Sequence, residues 1–380
     1  MRRWRQRSDL CCIVLGVAML ACSAPSAAPS DAAMVRIFSE ADYNNLPQLE
    51  LGTIRAVCEA DDPRCDLGRF AGGTITGLGD LVFWESEGLV YRLAGAGGTP
   101  QQVGANGSGP GEYRYVLSLQ VGSKDEIQLY DAAQQRLLEF TPDGEPLRTS
   151  RMALPEGFVD GRLTPVGFIS LATSLSGPDR SGDSARVALF HLQPEGARPL
   201  KLAVLPISQR AYRLADMRPL PKLFEAMPQW QISIDARIAY SSGDRWEVDQ
   251  FDSTGAHINR VGFVHTARPV EAAEAEREQE RRRRGIGRVQ ALHSATQHPA
   301  ITMLRLLDNG QLWVRESPDV AGDVVSWIVF DPDGTPIGRL VLPVETEILA
   351  GRDSTVLINA PTEGGLLLVR VVASPGAGSR

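Results

Sequence analysis

A short turn that occurs five times constrains the fold of this chain more than any other feature. Three copies read Phe140-Thr-Pro-Asp-Gly-Glu-Pro-Leu147, Phe251-Asp-Ser-Thr-Gly-Ala-His-Ile258 and Phe330-Asp-Pro-Asp-Gly-Thr-Pro-Ile337; a fourth lies at residues 191–200 and a looser one at residues 93–100. Each copy follows a run of alternating apolar and polar residues, which is typical of a strand with one buried face. The glycine accepts a positive φ and so favours a hairpin turn. The repeat therefore predicts an array of similar β-units.

The spacing of the turns predicts the number of units. The residues that precede them lie at positions 93, 140, 191, 251 and 330, and a sixth strand pair follows at 355–358 and 366–370. Four short antiparallel strands at this spacing predict the blades of an all-β, six-bladed β-propeller, because such small sheets bury their faces only by packing against neighbours in a ring. We place this domain at residues 45–372. Residues 49–57 have strand character without a unit of their own, and we expect them to join the last blade and close the ring.

A charged segment interrupts the strand pattern before the fifth blade. Within residues 268–297, the stretch 271–284 begins with acidic residues and ends with four arginines, which suits the dipole of a helix. The pairs Glu278–Arg282 and Glu280–Arg284 have favourable i,i+4 spacing. Because no apolar stripe is present, we expect a solvated helix that projects from the ring. The alternative role for the arginines is contact with acidic lipid headgroups or an acidic partner. A proline-containing irregular insertion is expected at residues 207–229.

The N-terminus is typical of an exported protein. Residues 1–21 combine four arginines with an apolar run too short to span a membrane, which predicts a signal peptide. The sequence Met19-Leu-Ala-Cys22 resembles a bacterial lipobox with Met in place of the usual Leu, and this resemblance implies a lipid on Cys22. The alternative is an ordinary cleaved signal with Cys22 incidental. Residues 22–44 are predicted to form a tether and residues 373–380 a flexible tail. Ser23 favours the outer over the inner membrane; the alternative location is periplasmic or secreted.

Charge and cysteine content agree with export. The chain has a net charge of −7, and loss of residues 1–21, with their four arginines and one aspartate, leaves −10. An acidic chain of this kind disfavours nucleic acid and unassisted binding to anionic lipid. Cys58 and Cys65 enclose a turn-rich segment and predict a disulfide in an oxidising compartment. The alternative is half of a metal site, but the sequence places no histidine close by. We expect a monomer.

A glycine-rich motif points to a family. The stretch Gly104-Ala-Asn-Gly-Ser-Gly-Pro-Gly-Glu-Tyr113 resembles the linker between blades of bacterial extracytoplasmic, lipoprotein-type NHL-like six-bladed propellers, and the resemblance covers roughly residues 45–372. The glycines allow backbone conformations that other residues disfavour, the proline fixes one torsion, and the glutamate suits backbone amides. A phosphate-binding loop is the alternative, although no helix or adjacent lysine follows. The structural inter-blade loop predicted here comprises Gly107, Gly109, Pro110, Gly111 and Glu112.

The resemblance leaves two classes of function open. Six-bladed relatives include metal-dependent lactonases and lyases as well as pure binding modules. The sequence offers no catalytic set, no metal-ligand spacing and no cofactor motif. We therefore expect a non-enzymatic binding or scaffold module, anchored to the cell envelope, that recognises a protein, peptide or glycan. The alternative is a lactonase- or lyase-type hydrolase that requires Ca or Zn.

Six residues are candidates for contact with a partner. Two acids follow the second strands of their units, where the alternative role is to cap hairpin ends. The aromatic candidates have packing between blades as their alternative, and one arginine takes the equivalent acidic position in the fifth unit. The candidates are Glu85, Tyr113, Tyr115, Asp131, Trp230 and Arg315.

Overall fold

A computed structural model describes most of the chain from residue 34 onward, and residues 34–380 group into one compact unit. The predicted signal peptide, Cys22 and Cys65 lie outside the described residues, as does the side chain of Cys58, so the lipid and the disulfide stay predictions. None of the helices in the described part is long and apolar enough to cross a bilayer. The described residues are 34–58, 70–85, 88–95, 99–122, 124–156, 158–165, 167–174, 186–192, 198–205, 223–286, 294–319, 322–352, 354–360 and 365–373.

The N-terminal segment is structured from residue 34, where the sequence predicted a tether. It forms strand β1 (Met34–Phe38), helix α1 (Glu40–Asn44) and strand β2 (Gln48–Cys58). The Ser39 hydroxyl accepts a hydrogen bond from the Asp42 amide at 3.1 Å, and the Asp42 carboxylate accepts one from the Ser39 amide at 2.9 Å. This capping box starts α1. The tether assignment of residues 34–44 was wrong because the small-residue composition that supports it ends at residue 33.

Blades 1 and 2 are four-stranded antiparallel sheets. Blade 1 comprises β3 (Phe70–Ile75), β4 (Leu81–Glu85), β5 (Val90–Leu93) and β6 (Gln101–Val103). The glycine-rich linker follows as a short parallel pair, β7 (Ala105–Asn106) and β8 (Glu112–Tyr113). Blade 2 comprises β9 (Val116–Val121), β10 (Ile127–Asp131), β11 (Arg136–Phe140) and β12 (Pro146–Arg151).

Blade 4 has one strand more than blade 3. Blade 3 comprises β13 (Phe158–Thr164), β14 (Gly167–Ser174), β15 (Arg186–Leu192) and β16 (Leu200–Leu205). Blade 4 comprises β17 (Gln229–Ile232), β18 (Ile238–Ser241), β19 (Glu247–Phe251) and β20 (His257–Phe263). Strand β1 adds to β20 in parallel, from Met34 opposite Asn259 to Phe38 opposite Phe263. The prediction of four strands per blade is therefore exceeded here, because the structured N-terminus covers an edge.

The charged insertion and the last two blades follow. The insertion forms helix α2 (Ala272–Ile286), which precedes the fifth blade as predicted. Blade 5 comprises β21 (Met303–Leu306), β22 (Leu312–Arg315), β23 (Val324–Phe330) and β24 (Pro336–Pro343). Blade 6 comprises β25 (Glu347–Arg352), β26 (Thr355–Ala360) and β27 (Gly365–Ala373) together with β2.

Strand β2 closes the ring, as the sequence predicts for residues 49–57. It pairs antiparallel with β27, from Leu49 opposite Ala373 to Cys58 opposite Leu366. Its first residues also pair in parallel with β24, with Gln48 opposite Arg339. Residues 34–58 thus run along the outer edges of blades 4 and 5 and become the fourth strand of blade 6. We call this segment the N-terminal strap.

The repeated turn joins the third and fourth strands of a blade. In the copies of blades 2, 4 and 5, the side chains of Thr141, Asp252 and Asp331 accept hydrogen bonds from the amides four residues later, at 3.0, 3.0 and 2.8 Å. The glycines have positive φ in all three, as the sequence predicts: Gly144 at +86°, Gly255 at +82° and Gly334 at +87°. The tips of the other two copies, at 96–98 and 193–197, lie outside the described residues.

The hydrophobic core lies between the blades. Each cluster of buried apolar side chains combines two neighbouring sheets, as where Tyr130 of blade 2 packs with Phe168 of blade 3. Another cluster joins Leu357 of blade 6 to Phe83 of blade 1. Burial therefore continues across the point where the chain ends meet, and all six interfaces are apolar. This packing accounts for the stability of sheets too small to fold alone.

Helix α2 is attached to the ring through charged groups. Arg268 donates two hydrogen bonds to the Glu274 carboxylate, both at 2.9 Å, and the His298 ring lies 3.0 Å from the same carboxylate. The Glu274 side chain is only 12% exposed. The expectation of a fully solvated helix was therefore wrong at its first turn, where an ion pair rather than an apolar stripe holds it. Further along, Glu278 and Glu280 bond arginines three residues later; the side chains of the predicted i,i+4 partners lie outside the described residues.

We expect acid to weaken the attachment of α2. The hydrogen bonds from Arg268 lower the pKa of Glu274 from its ordinary 4.5 to about 2, with help from His298. The stability that ionised Glu274 contributes is thus fully present above pH 4.5 and is lost as the pH falls toward 2. Glu274→Gln should cost about 2 kcal/mol at neutral pH, because a charged acceptor is lost. Thermal unfolding of the wild type and Glu274→Gln should show a difference in Tm that disappears near pH 2. A difference that stays constant with pH would contradict this role of Glu274.

Candidate functional site

The first strands of all six blades surround a cavity on the axis of the ring. These strands are β3, β9, β13, β17, β21 and β25, and residues of each line a volume of about 180 Å³. In β13, three consecutive residues line it: Asp160, Gly161 and Arg162. A Cβ atom on Gly161 would come within 2.3 Å of the Phe168 ring in the neighbouring strand, so this position requires glycine.

Arg162 holds one wall of the cavity together. Its Nη1 donates to the backbone oxygen of Ile232 at 2.9 Å, and its Nη2 donates to Oδ1 of Asp308 at 2.9 Å. These bonds link blade 3 to blades 4 and 5. The Arg162 charge is matched by Asp308 in an ion pair whose side chains are 21% and 14% exposed.

Arg305 is the second guanidinium of the cavity, and its partners are neutral. Its Nε donates to the oxygen of Ile348 at 2.8 Å, and its Nη1 donates to the oxygen of Leu304 at 3.2 Å and to Oε1 of Gln231 at 3.3 Å. Burial lowers the pKa of Arg305, while the charges of Glu347 and Asp160 act in the opposite direction.

Asp160 is the carboxyl group that faces both arginines. Burial raises its pKa, although a 2.7 Å hydrogen bond from the Gly161 amide and the charges of Arg305 and Arg162 act against this. The protonated form is thus favoured more than in an exposed aspartate. Sequence reasoning missed Asp160, Arg162, Gln231 and Arg305. The signal was present as polar residues at alternate positions of otherwise apolar first strands.

The two acidic candidates are buried at the ends of second strands. Asp131 is fully buried, and its carboxylate accepts bonds from the amides of Tyr115 at 3.2 Å and Ala133 at 3.1 Å and from the Gln134 side chain at 2.9 Å. It therefore organises its hairpin and the preceding linker. Glu85 is 4% exposed at the end of β4. Both positions agree with the capping alternative, and neither presents a surface to a partner.

The aromatic candidates separate into one exposed and two packed residues. Tyr115 is 54% exposed, whereas Tyr113 is 1% exposed; the Tyr113 hydroxyl donates to the oxygen of Val103 at 2.6 Å and accepts from the Val90 amide at 2.9 Å. Trp230 lies in β17 and not in the irregular insertion, because the strand begins directly after Pro228. Its ring packs 4.4 Å from that of Tyr240, which leaves Tyr115 as the exposed aromatic candidate.

Arg315 lies at the end of β22, beside the cavity rather than in its lining. Its Nη2 donates to the oxygen of Val344 at 2.8 Å, and burial lowers its pKa against the charge of Glu347. The same side chain acts electrostatically on Arg305. Arg315 therefore adds positive charge near the cavity without reaching into it.

The glycine-rich loop is fixed against blade 2. The Glu112 carboxylate accepts a 2.7 Å hydrogen bond from the Gly109 amide. The Gln134 side chain donates to the oxygen of Gly107 at 2.8 Å, and Arg136 donates to the oxygens of Ser108, at 3.2 Å, and Glu112. Pro110 and Gly111 complete the turn, and a Cβ on Gly111 would touch Pro146. These contacts hold the linker against blade 2.

A metal centre of the lactonase or lyase type does not fit the described channel residues. Within the described ranges, no group of three or more His, Cys, Asp or Glu side chains is placed to hold a metal ion. The donor set itself argues the same way, because Asp308 is bound by Arg162, and Arg305 lies in the same cavity. A cation would meet two guanidiniums there.

A comparison with known families agrees with the fold. A family model described as a six-bladed β-propeller, DUF5128, matches residues 90–160. The chain is a six-bladed β-propeller. The match runs from the third strand of blade 1 into the first strand of blade 3. No curated protein sequence matches the propeller.

Several solved structures are similar to this chain at low sequence identity. A member of the DUF4221 family from Bacteroides vulgatus is 11% identical with a TM-score of 0.50, over 87% of this chain and 99% of that one. A Bacteroides fragilis protein inferred to be exported is 14% identical with a TM-score of 0.49, over 90% and 100%. A gluconolactonase of Xanthomonas campestris is 13% identical with a TM-score of 0.43, over 84% and 89%. At these identities the likeness concerns the fold alone.

Proposed function

We propose that this propeller is a non-enzymatic binding module whose ligand enters the central cavity. The observation that carries the proposal is the lining: the first strands of six blades converge there, with arginine, aspartate and glutamine side chains among apolar residues. Convergent polar groups in a concave site are typical of ligand binding. The carboxylates face guanidiniums, which suits hydrogen bonding to a polar group better than the coordination of a metal.

The partner is proposed to be a protein, peptide or glycan of the cell envelope that inserts one small polar group. A cavity volume of about 180 Å³ admits a side chain or a single sugar-sized group. The exposed Tyr115, two residues before Leu117 of the lining, is available for further contacts. Binding through an inserted group combines a buried specific contact with a wider surface.

The location is proposed from the sequence. The features of residues 1–21 and the resemblance of Cys22 to a lipidation site support an exported protein held by a lipid at the envelope, with the outer membrane favoured. The acidic net charge supports a partner other than nucleic acid. The glycine-rich linker supports kinship with lipoprotein-type NHL-like propellers.

A cavity-filling variant tests the proposal. The full chain is purified from envelopes in mild detergent, and the retained ligand is identified by native mass spectrometry. Ala71 lines the cavity, so Ala71→Phe should fill it without changing charge and should abolish retention. Ala256→Phe, in an exposed outer turn, is the matched control and should retain the ligand. Equal retention by Ala71→Phe would exclude the cavity. Conversion of the ligand to a product by the wild type would favour the hydrolase alternative.

A further inference from the structure

We propose that the central cavity binds an oxyanion, a carboxylate or phosphate group of the ligand, through the guanidinium of Arg305. This inference rests on the proposed function and adds the chemistry of the group that enters. Five hydrogen-bond donors of a guanidinium form a planar fork that matches such oxyanions in two-point contact.

The unsatisfied part of Arg305 is the first argument. Its three hydrogen bonds all go to uncharged acceptors, the oxygens of Ile348, Leu304 and Gln231. Its Nη2 has no acceptor among the described residues. No carboxylate of the described ranges lies within ion-pair distance of it, in contrast to Arg162 with Asp308.

The cost of this arrangement is the second argument. A buried cation that no carboxylate contacts is expensive, and proteins usually pair such groups or neutralise them. Burial lowers the pKa of Arg305, which is the expected sign of that cost, and the charges of Glu347 and Asp160 act against it. Arginine keeps its proton in proteins, so an anion that contacts the guanidinium directly would recover more of the lost solvation.

The charges around the cavity balance in number, but Arg305 has no carboxylate contact of its own among the described residues. Arg162 is contacted by Asp308. Glu347 attracts Arg305 and Arg315 alike. Asp160, the remaining acid, has its pKa raised by burial, so it offsets Arg305 less than an exposed aspartate would. In its protonated form Asp160 becomes a hydrogen-bond donor toward the same space.

The size of the cavity limits the ligand. About one probe volume, roughly 10–15 Å³ on this measure, holds a water molecule, so 180 Å³ admits an oxyanion with a few atoms of its carrier and some water. The group is therefore the end of a side chain, a sugar acid or a phosphoester. The experiment below distinguishes a carboxylate from a phosphate.

Thermal unfolding in inorganic phosphate and in succinate tests the proposal, with sodium chloride at matched ionic strength as the reference. The wild-type full chain should show a saturable rise in Tm with at least one of the two, because a ligand that binds only the folded state stabilises it. The responding anion identifies the source. Arg305→Gln should weaken the apparent affinity at least tenfold. Arg260→Gln, on β20, the fourth strand of blade 4 and distant from the cavity lining, is the control and should respond like the wild type.

A second variant keeps the test valid if Arg305→Gln does not fold. Asp160→Asn removes the acid that competes with an anion and should bind severalfold more tightly. Three results would each overturn the proposal. They are weaker anion binding by Asp160→Asn, an equal response of Arg305→Gln and the wild type, and a rise in the Tm of the wild type no greater than with sodium chloride. If Ala71→Phe abolished retention of the ligand while neither anion raised the Tm of the wild type, the oxyanion proposal would be overturned. The proposed binding function would still stand.

Discussion

A chain that begins at residue 59 is expected to lose cooperative folding. It lacks β2, which forms the outer strand of blade 6 and is paired with β27 along most of its length. It also loses Leu49 from the cluster between blades 5 and 6, where that side chain is 7% exposed. Removal of an entire ring-closing strand should cost about 5 kcal/mol or more, which is comparable with the whole stability of a domain. Circular dichroism and calorimetry of the truncated chain would measure this.

Two further truncations serve as controls. A chain that begins at residue 34 keeps the entire N-terminal strap and should unfold at the temperature of the full chain. A chain that begins at residue 46 lacks β1 and α1, and its Tm should lie between those of the other two truncated chains. That chain lacks Tyr43, which donates a 2.7 Å hydrogen bond to Glu316, stacks on His265 and lies under the Arg339 guanidinium. If the chain from residue 59 unfolded at the unchanged temperature, β2 would not close the ring.

Tyr113→Ala should destabilise the protein by about 4 kcal/mol, because it removes a buried aromatic ring from the interface between blades 1 and 2. It also leaves the Val90 amide and the Val103 oxygen without the hydroxyl that bridges them. Tyr113→Phe keeps the ring and should cost about 1–3 kcal/mol, the penalty of unsatisfied buried groups. Urea titrations would give both values.

Tyr115→Ala is the matched control for this pair. The side chain lies two residues away and is 54% exposed, so its removal should change the free energy of unfolding by less than about 0.5 kcal/mol. The two tyrosines look alike in the sequence, and this comparison assigns one to the core and the other to the surface. Equal, small effects of both alanine variants would contradict the buried position of Tyr113.

Local pattern was sufficient for the blades and insufficient for the cavity. The alternation of apolar residues and the Asp-Gly turns predicted the six units, because these depend on neighbours in the chain. The closure was predicted because the strand at 49–57 had no unit of its own, and it pairs with the far end of the chain. The contact between Glu274 and His298 escaped prediction since the two residues lie 24 positions apart in the chain. Arg162 of blade 3 and Asp308 of blade 5 are also far apart in the chain, so local pattern did not predict their ion pair.

The candidate residues show the same limit. The acids Glu85 and Asp131 were singled out because they recur after second strands, yet a recurring position in a repeat protein reflects the shared framework of the blades. The cavity residues differ from blade to blade: Asp160 and Arg162 in blade 3, Gln231 in blade 4 and Arg305 in blade 5. Residues that break the repeat on its inner strands were the better signal.

The central claim, that the cavity binds rather than coordinates a catalytic metal, is tested most directly by the metal content and lactone hydrolysis of one preparation. Purified full chain is analysed for calcium and zinc and assayed on a panel of lactones before and after chelation. We predict no stoichiometric metal and no chelator-sensitive hydrolysis. One equivalent of either metal, removed by the chelator together with a lactonase activity that metal restores, would contradict it.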